Sequence, residues 1–414
     1  MGPLLRRANN RKDCRMTTPF HGVQLADLAP WHAELTALRR RFHQHPELAF
    51  AEHHTAATIA QLLDEYGYDV TTGVAGTGVV GTLRLGDADR AIGLRADMDA
   101  LPINEENTFD YQSRQPGIMH ACGHDGHMTM LLGAARYLAA TRRFNGTLNV
   151  IFQPAEERGF DSGGQRMVDE GLFGRFPCDA VFAMHNHPGS PCGRLMSRRG
   201  PFMAAGDRVF ITMRGVGGHA ARPHLAQDPV VGAASIIMAL QTVVARNVPP
   251  DKTAVVTMGM LHGGKALNVI PAEVQLGLSV RSFDPAIRAL LRQRITDIVQ
   301  LQSASLGLSA EIKYVEGYPV VCNSEAETTL ALQVAAELVG EDNVDGDMAM
   351  LTGSEDFAYL LQARPDCLIR IGNGEAQANK MLHNPGYDFN DNNLVTGAAY
   401  WSRLVERYLP PRAS

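Results

Sequence analysis

The chain has 414 residues, 45% of them hydrophobic and 20% charged, with a formal net charge of −6. That balance is that of an ordinary soluble globular protein, and its acidity gives no reason to expect nucleic acid as a partner. The length suits two domains better than one core, and no run reads as apolar enough for a membrane span.

The first fifteen residues carry Arg6, Arg7, Arg11, Lys12 and Arg15, but Pro3-Leu4-Leu5 is too short for a signal-peptide core. They read as a disordered extension, or as sequence upstream of a start at Met16; a targeting peptide is the lesser reading. Trp31, Leu35, Leu38 and Phe42 then recur at helical spacing as far as Pro46. A second helix is expected over 51–66, with Ile59, Leu62, Leu63 and Tyr66 inward and Gly67 as its cap. Segments 78–85 and 91–94 are short and rich in Val, Ile and Leu, so they read as strands, and a helix follows over 126–141. Segments 148–152 and 180–184 are almost continuously apolar, which marks strands buried on both faces beneath helices.

From 207 the pattern changes. A strand at 207–214, a helix at 228–246 and a strand at 253–260 precede the alternation of Val274, Leu276, Leu278 and Val280. A helix at 285–304 and a strand at 309–316 complete a β-α-β-β-α-β order, the pattern of a ferredoxin-like layer. The chain then returns through a helix at 325–339, a loop bearing Gly353-Ser354-Glu355-Asp356, a strand at 367–371 and a helix at 391–408. The expected fold class is α/β. A helix-covered mixed sheet is built from residues 17–198 and 315–410, with an inserted ferredoxin-like α+β domain at 199–314.

The chemistry sits at element ends. The run His120-Ala121-Cys122-Gly123-His124-Asp125-Gly126-His127 combines a soft thiol, imidazoles and a carboxylate with two glycines. A buried free cysteine is commonly plain packing, but here its neighbours change the weighting. Asp97 and Asp99 follow one apolar strand, Glu156-Glu157 follow another and His185 ends a third, where open α/β sheets place ligands. Two adjacent acids can be an acidic helix start. They can also divide the labour, one binding metal and the other handling a proton. His383 is a loop histidine that says little alone. Six cysteines (14, 122, 178, 192, 322 and 367) show no disulfide spacing, so a reducing cytoplasm is expected. His43, His45, His53 and His54 read as surface or packing. Glu355 and Asp356 read equally well as a helix cap or as part of a site.

Taken together, Gly93 to Pro102, His120 to His127, Phe152 to Glu157, Met184-His185-Asn186 and Gly218 to His224 resemble the amidohydrolase branch of the aminoacylase and glutamate-carboxypeptidase metallopeptidases. That branch includes hippurate hydrolases and hydrolases of indole-acetyl amino acids. The resemblance implies a catalytic domain with an inserted dimerisation domain, and two divalent metal ions per subunit (Zn, Mn, Co or Ni). It implies Cys122, His124, Glu157, His185 and His383 as ligands, Cys122 standing where many relatives have a bridging aspartate. Glu156 matches the general base, and His219 matches a histidine that reaches a partner subunit's site. Asn268 and Arg281 match residues that hold a substrate carboxylate, although Arg281 could also belong to a solvated sheet face. Arg95 stands where dipeptidases of the wider superfamily have a metal-binding histidine, which steers the expectation towards N-acyl amino acids and makes Asp97 a supporting residue. The implied activity is hydrolysis of an N-acyl amino acid by a cytoplasmic homodimer, with neither nucleic acid nor membrane as partner. A dipeptidase or carboxypeptidase-type exopeptidase is the alternative, and a non-catalytic binding protein the remote one.

Overall fold

The N-terminal helical period produces α1 (His32–Gln44) and α2 (His53–Glu65) in a computed structural model that describes residues 22–412. The readings made for the first fifteen residues lie outside that range. Next come strands β1 (Asp69–Val74), β2 (Gly78–Leu85) and β3 (Ala91–Asp97), helix α3 (His124–Thr141), and strands β4 (Gly146–Gln153) and β5 (Ala180–His187). β1 is absent from the sequence reading. Its residues Asp-Val-Thr-Thr-Gly-Val neither alternate nor run apolar, and only Val74 is buried. It is an edge strand, held by antiparallel pairing to β2 rather than by a buried face.

The middle of the chain forms β6 (Ala205–Arg214), α4 (Pro229–Asn247), β7 (Ala254–Gly263), β8 (Glu273–Ser282), α5 (Pro285–Ser305) and β9 (Ser309–Val315). The four strands make an antiparallel sheet in the order β7-β8-β6-β9. Alternation sends Val209, Ile211, Met213, Val274, Leu276, Leu278 and Val280 to one face, where Ile236, Leu240, Leu291 and Ile295 from the two helices close a core. Each such buried side chain contributes about 1.5–3 kcal/mol. Asp228 and Asp284 cap α4 and α5 by accepting backbone N–H groups, and each is followed by proline at the first helical position. The membrane reading needs one correction. By length and composition α4 is apolar enough to cross a bilayer. Its Gly232, Ala233, Ile236, Leu240 and Val243 stripe packs against the sheet, while Val230, Val231 and Met238 stay exposed.

The chain re-enters the first layer through α6 (Glu325–Val339), β10 (Asp366–Gly372) and α7 (Asn393–Tyr408). The large sheet has eight strands: β1-β2-β4-β3-β5-β10, then the short pieces Leu195–Met196 and Val344–Asp345. β4, β3, β5 and β10 run parallel, and every residue of β3 and β10 is buried. One face carries α3 and α7, whose Met130, Leu131, Leu394 and Trp401 share a core with β3 and β5. The other face is covered by a second cluster around Phe202, Phe357 and Leu360. Four parallel strands thus present their carboxyl ends at one edge, the usual place for a site in such a sheet.

Candidate metal centre

The turns after β3 and β4 build the centre together. Asp99, two residues beyond β3, accepts the backbone N–H groups of Glu156 at 3.0 Å and Glu157 at 2.9 Å. That carboxylate pins the single helical turn Glu156–Arg158, entered through Ala155 at φ 53°. The Cys122 loop is equally constrained. Gly123 has φ 87°, and any Cβ there would collide with Asn186 and Tyr387. The left-handed turn ends the loop, so α3 starts at His124 rather than at 126, with Cys122 just outside it.

The side chains then converge. Cys122 Sγ lies 3.3 Å from His185 Nε2, and the other nitrogen of His185 donates to the Asn186 carbonyl at 2.7 Å. His124 Nδ1 donates to the Asp99 carbonyl at 2.8 Å, leaving a buried Nε2 with no hydrogen-bond partner. His383, held at φ 63° by its N–H bond to the Ala121 carbonyl, places Nε2 3.2 Å from Glu157 Oε1. Donor atoms of Cys122, His124 and His185 lie within 4.8 Å of one another, as do those of Cys122, Glu157 and His383. Cys122 belongs to both triads. A third group, His124, Glu156 and Glu157, brings the expected base to the same place. All five expected ligands and Glu156 therefore meet. The donors fit two divalent transition metals, and the stranded lone pair of His124 is the kind of buried group that needs such a partner.

Electrostatics point the same way. Burial drives the Cys122 thiol well above its usual range, and Glu157 and Glu156 push it further, so a thiolate there requires cationic charge beside it. Burial opposes a charge on His124, yet Asp97, Asp99 and Glu157 prevail and raise it to about 10, so these carboxylates favour a cation at Nε2, a proton that a metal would displace. Burial and then Arg370 hold His185 far below its ordinary value, as the neutral imidazole a metal needs. Burial, then Glu355 and Glu157, raises Glu156 well above the normal carboxylate range, which strengthens it as a base.

Arg95 replaces any ligand role with a structural one. Its buried guanidinium donates to Asp97 at 2.8 Å, Gln153 at 2.9 Å and Asp356 at 2.9 Å, and lies 3.1 Å from Glu355. The second oxygen of Asp97 accepts from His127 Nδ1 at 2.7 Å, so Asp97 bridges Arg95 and His127. His127 Nε2 in turn accepts the Asn186 N–H at 3.0 Å, which uses up that ring. Glu355 and Asp356 belong to the site, and the cap reading fails, since the helix Ala358–Ala363 has no side-chain cap. Glu355 accepts the Phe357 N–H at 3.1 Å, and Asp356 donates its own N–H to Glu156 Oε1 at 3.3 Å. His43 is more than packing: it is enclosed between Asp125 at 2.8 Å and Glu105 at 3.1 Å. Burial opposes its charge, but those two carboxylates raise it to about 9.

The centre floors a cleft of about 580 Å³ roofed by the four-stranded sheet. Arg281 on β8 lines it and donates to Ser354 Oγ at 3.0 Å. His219 and Asn268 do not line it. Both are exposed at the far end of the inserted unit, where Ala220 N–H bonds the Asn268 carbonyl at 3.1 Å and His219 pairs with Val269. The structure thus groups Asn268 with His219, not with Arg281. Sequence reasoning passed over Tyr318, whose hydroxyl donates to the Glu156 carbonyl and accepts the Gly159 N–H at 2.6 Å. It also missed Arg370, which is buried in the cleft floor. Neither lies in a motif, and only the fold brings them to the site.

Comparison with known proteins agrees with this geometry. Residues 93–407 match the peptidase family M20/M25/M40. A hippurate hydrolase of Campylobacter jejuni is 39% identical over 93% of this chain and 99% of its own. An N-acetyl-L-cysteine deacetylase of Bacillus subtilis is 36% identical over 92% and 90%. An IAA-amino acid hydrolase ILR1-like 5 of Arabidopsis thaliana is 35% identical over 94% and 90%. Among solved structures, a dinuclear metal binding peptidase of the M20 family from Bacillus subtilis superposes with a TM-score of 0.79 at 29% identity, covering 92% of this chain and 99% of that one.

Proposed function

This chain belongs to peptidase family M20/M25/M40, and from that premise we propose that it hydrolyses the amide bond of small N-acyl amino acids, releasing a carboxylic acid and a free amino acid. The observation that carries this reading is the pair of donor triads joined at Cys122, with Glu156 beside them. Its relatives, a hippurate hydrolase, a deacetylase of N-acetyl-L-cysteine and an IAA-amino acid hydrolase, support the substrate class. Two divalent metals held by Cys122, His124, Glu157, His185 and His383 would supply Lewis acidity and lower the pKa of water. Glu156 takes a proton as water oxygen attacks the carbonyl carbon. The same proton passes to nitrogen as the C–N bond breaks, so acid and amine leave with atoms balanced. Arg281 holds the free carboxylate of the amino acid. A free thiol at Cys122 suits a reducing, cytoplasmic compartment.

Kinetics on matched substrates test the carboxylate contact. An N-benzoyl amino acid is compared with its primary amide and with a dipeptide of the same residue. Losing the carboxylate is expected to cost about 1.5–3 kcal/mol in kcat/KM, the worth of hydrogen bonds to a charged group. Arg281→Ala removes most of that discrimination. Equal cleavage of acid and amide by the wild type rules the contact out, and preference for the dipeptide favours an exopeptidase.

A homodimer completes the proposal. α4 exposes Val230, Val231 and Met238, and the free edge strand β7 exposes Met260 and Leu261. Two-fold pairing through these faces would cover both. His219 and Asn268, remote from their own cleft, then serve the partner's, where His219 donates to the developing oxyanion. Mixing inactive Glu156→Gln and His219→Ala protomers restores roughly a quarter of wild-type activity if exchange is statistical, because one site of each mixed dimer is intact. Mixed dimers verified by mass that remain inactive place His219 outside the chemistry.

A further inference from the structure

Three arginines line the cleft beside Glu156, Glu157 and Glu355, more than one substrate carboxylate requires. Arg281 and Arg208 project from its roof and Arg370 lies in its floor. Among the described residues none of the three forms an ion pair with a carboxylate, whereas Arg214 on the same roof strand pairs with both Glu273 and Glu311. Arg208 and Arg281 are diagonal neighbours on one face, since Arg281 stands opposite Gly206 and Arg208 opposite Ser279. Like charges so placed, with Cα atoms about 7–8 Å apart, repel. Arg281 is also laid across Gly206, where any Cβ would collide with its guanidinium.

Arg370 is the strongest case. It is 3% exposed and stands in register with His185 on the neighbouring strand. Its polar contacts are the Asn186 carbonyl at 3.4 Å and the Met203 sulfur at 2.7 Å, and Nε has no partner at all. A buried guanidinium so poorly bonded is costly unless an anion meets it. Glu156, Glu355 and Cys122 are near enough to soften the charge, but none reaches it within ion-pair distance.

We propose that the substrate carries a second carboxylate, received by Arg370, while Arg281 holds the first. This rests on the N-acyl amino acid reading and narrows it to dianionic substrates. The second carboxylate could stand on the side chain of the amino acid, as in an N-acyl glutamate, or at the far end of the acyl group, as in an N-succinyl amino acid.

The experiment has two substrate arms and one binding arm, all on the metal-loaded full chain. The first compares N-acetylglutamate with N-acetylglutamine, and the second compares an N-succinyl amino acid with its succinamoyl counterpart. In one arm the wild type prefers the acid by roughly 10-fold or more, as hydrogen bonds to charge imply, and Arg370→Gln brings that ratio close to one. The arm that responds identifies which end carries the charge. The binding arm measures glutarate against its monoamide by calorimetry. Tighter binding of the diacid by the wild type, lost in Arg370→Gln, supports the site even if no amide in the panel is cleaved; in that case the hydrolase reading falls and the anion site stands. Removing an unpaired buried charge should leave folding intact, and thermal unfolding checks this. If Arg370→Gln fails to fold, the wild-type ratios decide. No preference for the second carboxylate in any arm, or a preference that survives Arg370→Gln unchanged, overturns the proposal.

Discussion

Glu156→Gln loses about two to four orders of magnitude in turnover, the usual contribution of a general base, while metal content and unfolding temperature stay at wild-type values. The separation of the two effects follows from the geometry. The Glu156 backbone is held from outside its own carboxyl, by Asp99 on its N–H and Tyr318 on its carbonyl. Glutamine keeps that frame and most of the side-chain volume but cannot take a proton. It also removes a carboxyl crowded by Glu355, Glu157 and Asp356, so the fold has nothing to lose from the exchange. Turnover measured with metal content on the same sample checks it. Near-normal turnover would show that another group moves the proton.

Cys122→Ala has the opposite signature: metal is lost together with activity. Cys122 is shared by both triads, so a methyl group there leaves His124 and His185 on one side and Glu157 and His383 on the other with no common donor. Contacts that merely orient a ligand already cost about 10–100-fold in metal affinity when removed, and a shared ligand should cost at least that much. Cys122→Asp restores an anionic donor and should recover metal better than alanine does. Full metal occupancy in the alanine variant would reduce Cys122 to packing.

The sequence made the central strands and most of the site legible because both are local signals. Strands 78–85 and 309–315 and helix 325–339 are written in unbroken apolar or amphipathic runs. The ligand types follow those runs directly, so the ends of β3, β4 and β5 could be read as a site before any coordinates. What stayed hidden depends on distance. β1 is held by its neighbour rather than by its own pattern. His43 read as a surface or packing histidine because Asp125 and Glu105, which enclose it, lie 82 and 62 residues away. Arg370 sits in the strand Cys-Leu-Ile-Arg-Ile, where one charge among apolar residues reads as a defect until β5 brings His185 beside it. The separation of Asn268 from Arg281 was equally invisible. Both lie near β8, yet one is exposed in the loop before it and the other faces the cleft.

Hydrolysis should depend on metal held by the cluster around Cys122. Metal-free protein is titrated with a divalent transition metal while release of free amine from an N-acyl amino acid is followed. No release is expected at zero metal, and activity climbs until two equivalents per chain are bound. Full activity in the metal-free protein, or none with two equivalents bound across a panel that includes dianionic substrates, would contradict that expectation.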